Sequence, residues 1–231
     1  MLLLLLLSEL LALYVLSRWV SKSLFVLFLL LFRSRSVAIS LLLVLTFPGT
    51  VIHELAHLFA AEILRVPTGK LTLVPENIRE THIKSGSVAI AETDPFRRYA
   101  IGLAPLFTGV VAISAISYLL SLSMNHELIT ILYFYLLFAV SNSMFSSPED
   151  LKGFIPFTLV LGLFVAAGYM LGIRFELTGE VLEVVTRTLT TLTNSLTMVL
   201  LVNLGLLIAS WGLTRLVRSI LPSLFPPKKP S

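Results

Sequence analysis

The amino-acid sequence predicts an all-α membrane bundle of about six transmembrane helices, with a small β-sheet lying at the membrane surface. Three observations carry this. Of 231 residues, 56% are hydrophobic and only 13% charged, against about 25% charged in an ordinary soluble domain, and the mean hydropathy is +0.94. Apolar stretches long enough to cross the hydrocarbon core as helices, about 20 residues each, recur along the chain. The longest polar stretch, residues 65–98, breaks into short strand-like runs instead of a helical period.

The elements follow in order. Residues 2–20 form a first apolar helix, with Glu9 inside it. Residues 21–32 are apolar but too short to cross alone, which leaves an interfacial, re-entrant or continuing helical segment open. Arg33-Ser34-Arg35 punctuates the chain. Residues 36–64 form the next span, and Pro48-Gly49 is expected to bend or restart it just before His53. In the polar loop 65–98, residues 71–74 and 87–91 read as strands, with Ser85-Gly86 as a turn. Further spans are expected over 99–122, 128–146, 154–173 and 189–221, with 174–187 as a polar, amphipathic connector. The whole chain, 1–231, reads as one integral membrane domain, and no loop is long enough for a second one. No basic segment precedes the first apolar run, so a retained helix is expected there and not a cleaved leader.

Charge adds a topology. The net charge is only +4, and the basic residues are scattered in short loops, which excludes a nucleic-acid-binding face. Arg65, Lys70, Arg79, Lys84, Arg97 and Arg98 in the 65–98 loop, and Arg215, Arg218, Lys228 and Lys229 near the C-terminus, are all expected on the cytoplasmic side of the cell membrane. Arg33 and Arg35 then fall on the opposite side and violate the rule. With no cysteine in the chain, disulfides, thiolate metal ligands and a cysteine nucleophile are excluded.

One pentad carries chemistry: His53-Glu54-Leu55-Ala56-His57. Histidines four residues apart project from one helix face, so both imidazoles can reach a single ion, and the intervening Glu54 is suited to act as general base on water activated at zinc. Ionisable groups in an apolar helix cost roughly 2.5–3.5 kcal/mol each even on insertion scales, and a metal supplies the compensating reason. Catalytic zinc takes three protein ligands and keeps one position open. His126 is expected at the opposite membrane face and His82 in the surface loop. Glu62, five residues past His57, points elsewhere on the helix. Asp150 lies in a turn on the same side as Arg65, either as third ligand or as N-cap of the following span.

Together with Asn142, Pro148 and Asp150, the HExxH helix resembles the site-2 protease family of intramembrane zinc metalloproteases. The likeness covers about 48–153, in a minimal form with no PDZ domain. It implies a fold built round HExxH in one membrane helix and an Asn…Pro…Asp element before a later one. It further implies one zinc ion held by His53, His57 and Asp150, catalysis by Glu54, and Asn142 holding the substrate carbonyl or its oxyanion. The chain departs from the pattern where Leu151-Lys152 separate Asp150 from Gly153, and Glu149 is a rival third ligand. The implied activity is hydrolysis of peptide bonds in transmembrane protein substrates within the bilayer, at a site opening toward the cytoplasm. His57, eight residues before Arg65, would lie about 12 Å below the membrane edge. The strands of the 65–98 loop could hold a locally unwound substrate by β-addition. The alternative is a membrane transporter or scaffold whose HExxH binds metal without proteolysis.

Overall fold

The computed structural model of the chain describes residues 2–72, 87–122, 127–145, 154–172 and 179–220. Six helices and one hairpin make it up: α1 (Leu2–Phe32), α2 (Arg35–Ile63), β1 (Thr68–Thr72), β2 (Ser87–Ile90), α3 (Pro95–Leu122), α4 (Glu127–Ser143), α5 (Phe154–Met170) and α6 (Gly179–Ile220). Four of these, α1, α2, α3 and α6, are long and apolar enough to cross a membrane. That is compatible with an integral membrane protein, as is a surface studded with outward-facing Trp19, Val44, Phe59, Val111 and Phe164.

Several boundaries differ from the sequence reading, each for a local reason. Residues 21–32 are not a separate segment; they continue α1 to a length of 31 residues, since nothing between Leu2 and Phe32 breaks a helix. Pro48 sits inside an uninterrupted α2, so no restart precedes His53. Helix α3 begins four residues before Tyr99. Pro95 takes the first helical position, where its missing N–H costs nothing, and Asp94 Oδ1 accepts from the Arg97 amide at 3.0 Å as an N-cap. The connector from Gly179 onward is already helix, giving α6 42 residues. Helix α2 ends with Arg65 in the left-handed region (φ 56°), and Val66 N–H bonds back to the Ala61 carbonyl at 2.8 Å, a Schellman-type closure. The strands pair antiparallel, Leu71 with Val88 and Thr72 with Ser87. The turn at Ser85-Gly86 and residues 73–74 lie outside the described residues.

Helix directions are fixed by contacts. One cluster gathers Val20 and Leu24 of α1 with Leu42 and Leu45 of α2; another gathers Leu13 of α1 with Ile52 of α2. Early α1 therefore lies against late α2, and the two are antiparallel. Helix α6 is joined to α1 by Thr197 Oγ1 donating to Glu9 Oε1 at 2.6 Å and by a Ser23–Ser210 hydroxyl pair at 2.7 Å. Both positions advance together along the two chains, so α1 and α6 are parallel.

Six strictly alternating spans would make the first and last antiparallel. Here α1, α3 and α6 run one way and α2 and α4 the other, so the helices do not follow six strict alternations. Helix α5 packs only lightly, against α3. The consequence is a redistribution of charge. One end of the bundle carries Arg65, Lys70, Arg97 and Arg98. The C-terminal Arg215 and Arg218 lie at the other end with Arg33 and Arg35, and not beside the 65–98 loop as the charge pattern suggested.

Candidate metal centre

Helix α2 has its polarity turned inward. Thr46, Gly49, Thr50, His53, Glu54, His57 and Ala61 are buried, a stripe recurring every three or four residues. Val44, Phe47, Phe59 and Ile63 face out. A helix with its small and polar groups on the packed face is what lipid demands, because polar atoms there need partners inside the protein.

The two histidines of the pentad are brought together. His53 and His57 are 3% and 7% exposed, their rings stand edge to face with centroids 4.8 Å apart, and their Nε2 atoms are 3.2 Å apart. His57 Nδ1 is 3.0 Å from the Ile101 carbonyl in α3. A carbonyl only accepts, so Nδ1 carries a hydrogen, and in the neutral ring Nε2 is the bare nitrogen. Glu54, between them in the chain, is buried as well, and none of the three side chains is without a partner.

This pair fits zinc. Two nitrogens 3.2 Å apart, each about 2.0–2.1 Å from an ion, subtend about 100° at it, close to tetrahedral. The outer nitrogen of His57 is bonded to a backbone carbonyl, the usual arrangement for a metal-binding histidine. A third ligand is not present among the described residues, where no group of three His, Asp or Glu side chains converges. Pro148, Glu149 and Asp150, together with His82 and His126, lie outside the described residues. Glu62 is exposed at the end of α2, away from the histidine face.

Asn142 lies near the C-terminal end of α4, which crosses α2 one turn before the histidines. The crossing is tight: a Cβ added at Gly49 would lie 2.5 Å from the carbonyl carbon of Ala139 and 2.7 Å from Ser143 Oγ. Ser143 Oγ donates to the Thr46 carbonyl at 3.2 Å. Both amide hydrogens of Asn142 are engaged, one with Asn203 Oδ1 on α6 at 2.6 Å and one with the Phe138 carbonyl at 2.8 Å. Asn203 Nδ2 in turn donates to Ser141 Oγ at 2.9 Å and the Val199 carbonyl at 3.0 Å. Asn142 Oδ1 is buried and has no partner among the described residues. As placed, Asn142 offers an acceptor. Donating to an oxyanion requires it first to leave Asn203.

Two residues here escaped the sequence reading, Ile101, whose carbonyl orients His57, and Asn203, which holds Asn142; a third, Gly49, was read as a helix interruption, whereas its missing side chain lets α4 approach. Pro105, four residues after Ile101, was the one available signal for the first. An asparagine in the apolar middle of 189–221 was a signal for the second. Comparison with protein-family models, with curated proteins and with solved structures finds no match for this chain.

Proposed function

We propose that the chain is an intramembrane zinc metalloendopeptidase of the site-2 protease type, acting on transmembrane protein substrates. One observation carries the reading: two imidazoles in an apolar helix, buried, with Nε2 atoms 3.2 Å apart and one ring fixed from behind by a backbone carbonyl. His53 and His57 would hold the ion, with Asp150 or its neighbour Glu149 completing the set. The zinc supplies a Lewis acid that makes water nucleophilic near neutral pH. Glu54, the buried neighbour of His53 in the chain, would take the proton of the attacking water and return it to the departing amine. Asn142 would steady the substrate backbone, through Oδ1 to a peptide N–H, or through Nδ2 to the carbonyl once released from Asn203.

The β1–β2 hairpin packs against α2, at the end of the bundle nearest His57. An extended substrate pairing along one of its edges would be presented to the histidines already unwound. With Arg33, Arg35, Arg215 and Arg218 at the opposite end, the basic residues do not select either end as the cytoplasmic one.

The competing reading, a transporter or scaffold that binds metal without proteolysis, draws on the same 3.2 Å contact, since two histidines can hold an ion without any cleavage. Zinc content and cleavage of a model transmembrane substrate, measured together on purified wild type, His53→Ala and Glu54→Gln, separate the two. The protease retains zinc in Glu54→Gln and loses cleavage, and loses both in His53→Ala. Retained function in Glu54→Gln, or a zinc-free wild type after expression in zinc-replete medium, overturns the assignment.

A further inference from the structure

In an α-helix the amide of residue 105 would donate to the carbonyl of residue 101. Residue 105 of α3 is proline, which has no amide hydrogen, so the Ile101 carbonyl has lost its intrahelical donor. Both residues are buried inside the bundle, where a backbone carbonyl without a donor is costly. His57 Nδ1 lies 3.0 Å from that carbonyl oxygen, and its Nε2 faces His53 Nε2 at 3.2 Å.

We propose that Pro105 is a positioning residue for His57: by withholding an N–H, it reserves the Ile101 carbonyl for the imidazole and so fixes the ring's tautomer and direction. Its action is chemical and at a distance. Pro105 does not have to touch His57; it removes the i+4 backbone donor that would compete for the same oxygen. The ring is then held with Nδ1–H outward to α3 and Nε2 bare toward His53, before any ion arrives. The effect on zinc affinity rests on the metalloprotease reading given above; the effect on the tautomer does not.

The test uses the full chain in detergent and two replacements that differ in one atom. Pro105→Ala restores the N–H. Lactic acid at position 105, joined through an ester, has neither the ring nor the N–H. Two quantities are read: the ring ¹⁵N shifts of His57 in metal-free protein, assigned with His57→Gln, and the zinc Kd by competition with a chromophoric chelator. Wild type and the ester variant are expected to show His57 protonated at Nδ1 and bare at Nε2. Pro105→Ala is expected to shift toward the Nε2–H form and to bind zinc roughly 10–100-fold more weakly, as loss of an outer-sphere partner does. A wild-type tautomer and Kd in Pro105→Ala overturn the inference. So does an ester variant that matches Pro105→Ala, because ring rigidity would then be the cause and not the missing donor. Should wild type bind no zinc, the metalloprotease reading fails, and the tautomer comparison alone decides on Pro105.

Discussion

Replacing Gly49 by alanine should separate α2 from α4. The new Cβ would sit 2.5 Å from the Ala139 carbonyl carbon and 2.7 Å from Ser143 Oγ. Carbon atoms in contact settle at about 3.5–4.0 Å, so α4 has to retreat by about 1 Å. Backbone, not a flexible side-chain tip, is the obstacle, and it cannot swing aside. Overpacking of this kind costs about 1–3 kcal/mol. Stretching the 3.2 Å Ser143–Thr46 hydrogen bond out of range adds about 1 kcal/mol, and the better helix propensity of alanine returns up to about 1 kcal/mol. The net expectation is a loss of about 1–3 kcal/mol, read by reversible denaturant unfolding in detergent. Gly205→Ala is the control: nothing lies within 4 Å of its Cβ, so it should be neutral or slightly stabilising. A Gly49→Ala protein within about 0.5 kcal/mol of wild type, the ordinary range for an inconsequential substitution, would refute the close crossing.

Two further outcomes are expected. The chain has no cysteine, so single-cysteine variants report sidedness cleanly: Ser219→Cys should be labelled by an impermeant thiol reagent from the same side as Ser36→Cys and from the side opposite Glu92→Cys. Labelling of Ser219→Cys together with Glu92→Cys would mean that α1 and α6 are antiparallel. Asn203→Leu should cost about 0.6–1.7 kcal/mol in the unfolding assay, the span measured for hydrogen bonds between membrane helices, because it deprives Asn142 Nδ2 of its 2.6 Å partner. It should also depress cleavage while zinc content is unchanged; unaltered stability together with unaltered cleavage would remove Asn203 from the site.

What the sequence made legible was periodic or short-range. Helices α2, α3 and α4 follow from their apolar runs alone, and the pairing of His53 with His57 follows from a spacing of four. The strands were placed within a few residues, because β-branched and small residues alternate there. Long-range facts were not legible. Nothing local to Asn142 announces that Asn203, 61 positions later, takes one of its hydrogens. The parallel pairing of α1 with α6 was hidden for a similar reason. It depends on Glu9 meeting Thr197 and Ser23 meeting Ser210, and counting apolar segments with strict alternation assumed that every one of them crosses. Residues 179–188 read as connector because they are polar, yet they carry no helix breaker after Gly179.

The inward polarity of α2, Gly49 within it and Pro105 in α3 belong to one physical problem. Inside a bilayer each backbone or side-chain polar group must find its partner within the protein, so placing two imidazoles and a carboxylate in a spanning helix also demands groups to meet them. Helix interiors have few to give, since their carbonyls are already bonded four residues onward. A proline creates one spare acceptor at a chosen depth, and a glycine lets a neighbouring helix come near enough to bring its own. Pro105 frees the Ile101 carbonyl at the level of His57, and Gly49 admits Ala139 and Ser143 one turn below His53. Residues that look like helix defects in the sequence are thus where the bundle supports its polar interior, and their positions relative to His53 and His57 say more about the site than their helix propensities do.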